Sequence, residues 1–325
     1  MDIAKKVFEA IDVALNRSQN DLFHPEGEER VIVDRDIVYR EEEKEICRLD
    51  CYRLPPSEEK YPVLFYVHGG GFMAGGKEYR RTLCTWYATL GYFVVNVDYG
   101  LCPDYTFPEP LRHLASALDW VVENAERYGL DRKRMVVGGD SAGAYYGAML
   151  AMIGSHPKLQ KKYEIKPKGK FAAAVLNCGL YDVEAALGRR MLLDLNEKVF
   201  EAYTGVKFAE ADGFAYRDCF SPLAYIDRHF PPSMIVYAKK DIFCGGQAER
   251  LCEKLQAANV YFESYASASL IANHCFSLSW KGKEAEQANE KIRSFLERFR
   301  DGTMPKKAEK RGKKSGSKQK GEDTL

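Results

Sequence analysis

Ser141 stands in Gly139-Asp140-Ser141-Ala142-Gly143, with Val136 and Val137 leading in and small residues leading out. The stretch fits G-x-S-x-G. Its logic is steric: a sharp strand-to-helix turn forces strained dihedrals on the serine, and neighbours without bulk relieve the crowding. The hydroxyl then stands at a helix N-terminus, where negative charge is favoured. The pattern has three fixed positions and is weak alone. A strand before it, and Ala142, Gly143, Ala144, Gly147 and Ala148 after it, let a helix sit close to a sheet.

A hydroxyl needs a base to become a nucleophile, and the base needs a carboxylate to orient it. Three of the six histidines follow Ser141. His156 reads as an exposed helix end before Pro157, and His229 as the end of an insert. His274, in "ANHCFSL", follows the last expected strand, on the edge where Ser141 points, and is the expected base. Asp241 ends the run "SMIVYAKKD" and is the expected acid. Asp182 ends "NCGLYD" and is its alternative, since strand C-termini collect on one side of a parallel sheet. Whichever is not the acid should be a cap or a loop bond.

The second signal is His68-Gly69-Gly70-Gly71-Phe72, directly after the apolar "PVLFYV". Three consecutive glycines are costly in backbone entropy. A loop that turns its N–H groups towards an anion justifies them, and an acyl-transfer intermediate carries such an anion. Gly70 and Gly71, with Ala142, are the expected donors. No Lys-Ser or Lys-Thr follows, as a phosphate loop would require.

These residues must be held by elements. Ile3, Val7, Ile11 and Leu15 mark an N-terminal helix. Stretches 30–40 and 45–55 read as two strands joined by a charged hairpin at 41–45, which predicts an antiparallel edge. Further strands are expected at 62–67, 92–99, 135–139, 171–182, 233–241 and 260–266. Helices are expected at 77–91, 110–129, after Ser141, at 247–259 and over 284–300. Alternation of this kind predicts an α/β fold with a mostly parallel central sheet and helices on both faces. Residues 183–232 hold a helical stretch from 189 to 205 and a long loop, too much for a simple crossover and suited to a lid. The expected division is 1–45 (N-terminal helix and edge strand), 46–182 (first part of the core), 183–232 (cap insert), 233–302 (second part of the core) and 303–325 (basic tail).

The 325 residues carry a formal net charge of +1, which gives no electrostatic case for nucleic acid. Residues 301–325 hold eight Lys or Arg against four Asp or Glu, so about −3 remains on the body. That tail is nearly free of apolar residues, a composition that predicts disorder. Nine scattered cysteines suit free thiols in a reducing compartment. Cys47 and Cys51 have no second pair and no histidine close in sequence, which argues against a zinc site. No run approaches the ~18 apolar residues of a membrane span, so the expectation is a cytoplasmic protein without membrane contact, with self-association as a homo-oligomer left open.

Together "HGGGF", "GDSAG", Asp241 and "NHCF" resemble, in order and spacing, the hormone-sensitive-lipase-like branch of the α/β-hydrolases. The stretch "VDYGLCPDYTFPEPLRH" is similar to that family's segment after the fourth core strand, and the resemblance covers about residues 60–300. It implies an α/β-hydrolase fold with a helical cap built from the N-terminal helix and the 183–232 insert. It also implies Ser141 as nucleophile, Asp241 and His274 as its partners, and Gly70, Gly71 and Ala142 as the oxyanion hole. The family often has Arg at position 100 and Asp at 113, where this chain has Gly100 and His113. Those departures predict a loosened network beneath the site. Ala144 replaces a common glycine and touches none of the three catalytic residues.

The expected activity is hydrolysis of short-acyl esters of small molecules through an acyl-enzyme, without metal or cofactor. Leu192, Leu193, Leu195, Val199 and Phe200 are candidates to line the substrate cavity or to pack cap against body. An amidase or formamidase using the same residues is one alternative; a catalytically silent binding protein on the same fold is another.

Overall fold

Val63, Phe65 and Val67 of β3 (Tyr61–Val67) enter one apolar core, while Leu64 and Tyr66 enter a second. Successive strand side chains point to opposite faces, so a continuous apolar run belongs to a strand covered on both sides. The computed structural model describes residues 3–189, 191 and 194–305, and β3 lies in the middle of its sheet.

That sheet has eight strands. With β1 (Ile32–Val38), β2 (Arg48–Arg53), β4 (Phe93–Val97), β5 (Leu130–Asp140), β6 (Ala173–Asn177), β7 (Ser233–Ala238) and β8 (Phe262–Ser267), the order is β1-β2-β4-β3-β5-β6-β7-β8. β1 and β2 pair antiparallel, and β2 meets β4 antiparallel. Every pairing from β4 to β8 is parallel. One face is covered by α3 (Glu109–Glu123), α5 (Ala142–Ile153) and α10 (Gln247–Ala257), through Leu114, Leu118, Met149 and Leu251. The other is covered by α2 (Arg81–Thr89) and α11 (Gly282–Arg300), through Trp86, Ile292 and Phe295. This is the expected α/β architecture. Parallel strands put their C-terminal ends on one edge, and β5, β6 and β7 there lead into Ser141, Cys178 and the loop of Asp241.

Several boundaries differ from expectation. The strand expected over 171–182 ends at Asn177, because Cys178 turns the chain with a φ of 49°. β5 begins at Leu130, earlier than expected, since the charged residues 131–134 run along the solvent end of the sheet. The helix expected over 110–129 divides at Asn124, whose Nδ2 donates to the Trp120 carbonyl, into α3 and α4 (Ala125–Tyr128). Residues 183–232 supply α7 (Val183–Leu187), α8 (Leu195–Thr204) and α9 (Pro222–Tyr225). α8 starts only after Asp194, at a φ of 52°, so the helix expected from 189 is shorter. α6 (Pro157–Tyr163) follows α5. The N-terminal α1 (Ile3–Leu22) packs against α8 and α2. Leu192, Leu193 and most of the basic tail lie outside the described residues. Among the described residues no helix is long and apolar enough to cross a membrane.

Candidate active site

Gly143 explains why a small residue follows Ser141 at this spacing. A Cβ there would lie 2.0 Å from the Val67 carbonyl oxygen, and one at Gly139 would lie 2.5 Å from the Gly143 carbonyl carbon. Strand and helix backbones therefore touch on both sides of the serine. Ser141 itself has a φ of 51° and a ψ of −120°, a region an L residue rarely holds. Its amide donates to the Asn177 carbonyl at 2.8 Å, which pins the turn to β6.

His274 and Asp241 come to this turn from two neighbouring loops. Ser141 Oγ lies 2.8 Å from His274 Nε2, and His274 Nδ1 lies 2.8 Å from Asp241 Oδ2. Asp241 Oδ1 accepts the amides of Phe243 and Cys244, each at 2.8 Å. A carboxylate on Nδ1 fixes the tautomer: Nδ1–H donates to Asp241, and Nε2 is left to accept the serine proton. Asn273 holds the two loops together, since its Oδ1 accepts the amides of both Ile242 and His274. Burial opposes a charge on His274, but the Asp241 carboxylate outweighs it, and the imidazole pKa is pushed up to about 9. Burial likewise pushes Asp241 up; the facing His274 and the two amides outweigh it and hold the carboxyl below its usual range.

The other expected partners stand elsewhere. Asp182 caps α7, its Oδ1 accepting the Ala185 amide at 3.1 Å, and its Oδ2 faces Arg250. His156 meets the Tyr225 carbonyl and is half-buried rather than exposed. His229 meets Asp227.

The glycine loop meets the serine from the other side. Gly71 and Ala142 border the same cavity as Ser141; Gly70 does not. The Gly70 carbonyl accepts the amides of Met73 and Ala74, which curls the loop. The amides of Gly70 and Gly71 donate to no protein acceptor among the described residues. Ala142 opens α5, where amides lack an intrahelical partner. His68 is buried at the start of the loop. It stacks on Tyr99 with centroids 4.4 Å apart, and its Nδ1 faces the Gly69 carbonyl at 2.7 Å.

Beneath the serine, Asp140 accepts from Tyr66 Oη at 2.8 Å, Gly69 N at 3.2 Å and Arg80. Burial raises the Asp140 pKa, but Arg80 outweighs it, and the carboxyl stays below the ordinary range. Arg80 and its second partner, Asp12 of α1, were not legible as site residues. Asp12 shows as a charge among apolar neighbours of the first helix, whereas Arg80 lies in the charged run 77–81 and carries no signal of its own.

The cavity above Ser141 measures about 100 Å³. Phe8 of α1 forms one wall, and Leu195, Val199, Phe200 and Tyr203 of α8 form another. Its lining is overwhelmingly apolar and aromatic, as small-molecule sites usually are.

The loosened network expected at Gly100 and His113 is replaced by a different one. His113 Nδ1 accepts the Gly100 amide at 3.0 Å, and Nε2 faces Glu43 at 3.0 Å. A Cβ at position 100 would lie 2.4 Å from the Tyr105 ring, so Gly100 is required by the neighbours that fill the space. His113 also comes beside Cys47 in space, with Glu43, although no histidine is near it in sequence.

Comparison with known proteins agrees with this architecture. A family model described as BD-FAE matches residues 49–255. Esterase LipQ of Mycobacterium tuberculosis is 28% identical over 235 residues, 71% of this chain and 54% of its own length. The probable carboxylic ester hydrolase LipM of the same organism is 27% identical over 262 residues, 78% of this chain and 59% of its own. The chain thus spans little more than half the length of these curated relatives. Among solved structures, esterase B from Lactobacillus rhamnosis superposes with a TM-score of 0.76 at 20% identity, covering 90% of this chain and 93% of that one. A bacterial heroin esterase superposes with a TM-score of 0.68 at 22% identity, covering 90% of each chain. At these identities the likeness establishes the fold, that of the α/β-hydrolases.

Proposed function

The chain belongs to the BD-FAE family, and on that premise we propose that it is a serine carboxylesterase acting on short-acyl esters of small molecules. One observation carries the reading: a single imidazole lies 2.8 Å from a serine hydroxyl and 2.8 Å from a buried carboxylate. The esterase names of its relatives support it, and the small apolar cavity favours a short acyl group.

His274 Nε2 takes the Ser141 proton as Oγ attacks the ester carbonyl. Asp241 holds the tautomer and stabilises the imidazolium. The amides of Gly71 and Ala142, which border the cavity, receive the negative oxygen of the tetrahedral intermediate. His274 then protonates the leaving alcohol, and an acyl group remains on Ser141. A water molecule gives its proton to the same nitrogen, attacks the acyl-enzyme and releases the acid. α1 and residues 183–232 act as the cap over this chemistry, and Phe8 and α8 bound the acyl group.

The test is hydrolysis of p-nitrophenyl esters from acetate to laurate, wild type beside Ser141→Ala. Activity should be highest on the shortest chains and fall at least ~10⁴-fold in the variant. Undiminished hydrolysis by Ser141→Ala would remove the nucleophile, and a preference for laurate would remove the short-acyl assignment.

A further inference from the structure

Two thiols that ester hydrolysis does not use lie directly behind His274. Cys178 is the first residue beyond β6 and Cys275 follows His274; they are 2% and 1% exposed. Both have left-handed backbones, with φ of 49° and 53°, which turn the two side chains inward from separate loops. Their sulfurs and a ring nitrogen of His274 all lie within 4.8 Å of one another.

We propose that Cys178, Cys275 and His274 form a binding site for a soft divalent cation of the zinc and cadmium class, whose capture withdraws His274 from Ser141. The inhibitory half of this proposal rests on the reading of His274 as the general base. Thiolate sulfurs sit about 2.3 Å from zinc and imidazole nitrogens about 2.0–2.1 Å. In a tetrahedron such ligands are roughly 3.5–3.8 Å apart, so the three donor atoms, all within 4.8 Å of one another, have at most about 1.3 Å to close.

The charges around the pair favour a cation. Asp140 and Asp241 both act electrostatically on the Cys275 sulfur. The same two carboxylates attract a divalent ion placed between the sulfurs. Binding is an exchange without oxidation: the ion takes two thiolate sulfurs and a ring nitrogen of His274, and the two thiol protons and the proton held at that nitrogen leave. An ion on Nε2 displaces Ser141 and one on Nδ1 displaces Asp241, so either breaks the Ser141–His274–Asp241 chain.

A second cluster of metal-ligating types, Glu43, Cys47 and His113, does not offer this chemistry. There the Gly100 amide occupies the His113 Nδ1 lone pair, and Nε2 carries the proton towards Glu43. Glu43 also faces Arg40 Nε at 3.1 Å. That cluster also offers a single sulfur, so it lacks the thiolate pair that a soft cation prefers.

The experiment is a titration of the full chain with Cd²⁺, reading the ultraviolet thiolate-to-cadmium absorption beside p-nitrophenyl acetate hydrolysis. One equivalent should saturate the absorption in step with loss of hydrolysis, and EDTA should restore both. Cys178→Ser and Cys275→Ser should keep hydrolysis yet need at least ~10-fold more Cd²⁺ for either signal. Alanine at the same positions serves where serine impairs folding. Cys252→Ser, a cysteine outside the cluster, should titrate as wild type. Absence of the absorption, or equal inhibition of the Cys178→Ser/Cys275→Ser double variant, would overturn the proposal. Absorption in a protein that has no hydrolysis to lose would leave the metal site standing and remove the esterase reading.

Discussion

Arg80 grips Asp140 with two nitrogens: Nε lies 2.9 Å from Oδ1, and Nη2 lies 2.7 Å from Oδ2. The same Nη2 lies 2.9 Å from Asp12 Oδ1. One guanidinium thereby ties α1 to the residue before the nucleophile, and Asp140 passes the tie on to Gly69 of the glycine loop. A planar fork suits a bidentate carboxylate in a way a lysine cannot copy.

Both side chains are 1% exposed, so solvent screens the pair little. Arg80→Met therefore leaves a buried, uncompensated carboxylate, and breaking such a pair costs about 3–5 kcal/mol. Asp12→Asn keeps the Arg80–Asp140 fork and should cost less. Urea unfolding followed by circular dichroism measures both. An Arg80→Met protein within about 1 kcal/mol of wild type would mean that the charge pair is not structural.

The raised pKa of His274 has opposite effects on activity and stability. A base must be neutral to accept a proton, so kcat/KM should climb about tenfold per pH unit and level off at about 9, where His274 loses its charge. For stability, a histidine whose folded pKa exceeds its unfolded value of about 6.5 stabilises fully below that value. That contribution fades as pH rises to about 9. From neutral pH upward the protein should thus gain rate while losing a part of its stability. Asp241→Asn removes the cause, so its residual activity should level off at lower pH. A profile already flat from pH 6.5 would refute the charge assignment.

Ser141, His274 and Asp241 were legible because each sits beside a local signal: a glycine pair, a strand end, or a loop after the last strand. The mostly parallel sheet with helices on both faces followed from apolar runs that alternate with amphipathic helices, while the order of the strands came only with the fold. Arg80 was not legible, since its partners lie 68 and 60 residues away and only the fold brings them together. Phe8 was hidden in the same way. The spacing of Ile3, Val7, Ile11 and Leu15 marks a neighbouring stripe, with Ile3 exposed, whereas the buried stripe carries Ala4, Phe8 and Asp12. Asp182 looked like a strand-end acid until Cys178 ended the strand early and left Asp182 to cap α7.

Phe8 and Gly71 should behave as a coupled pair. A Cβ at Gly71 would lie 2.3 Å from the Phe8 ring, and Gly71 has a φ of 59°. Gly71→Ala should cut kcat sharply by shifting an amide that faces the oxyanion. Phe8→Ala removes the collision but not the backbone strain, so the double variant should recover part of the loss. By contrast, Gly143→Ala meets the Val67 backbone at 2.0 Å, and no side-chain change can relieve it. A double-mutant cycle on kcat with p-nitrophenyl acetate measures the coupling. Strict additivity of Phe8→Ala and Gly71→Ala would show that the ring does not press on the loop. Phe8→Ala alone should also widen the cavity and raise butyrate hydrolysis relative to acetate.

His113 gives the last prediction, because it carries a network usually built from other residues. The ring is fully buried, and burial lowers its pKa despite Glu43 and Glu109. It is neutral in the folded protein, with Nδ1 accepting from Gly100 and Nε2–H donating to Glu43. For a histidine with a lowered folded pKa, the unfolded chain binds protons more readily. The stability it supplies is complete above the unfolded value of about 6.5 and declines as pH falls below it. His113→Phe keeps an aromatic ring of similar shape but leaves the buried Gly100 amide unpaired, a loss of about 1–3 kcal/mol at neutral pH. The gap between wild type and His113→Phe should therefore be widest at pH 7.5 and narrow towards pH 5.5 in thermal unfolding. A gap that holds constant between those pH values would mean that His113 does not change its charge on unfolding, and the neutral relay through it would fall.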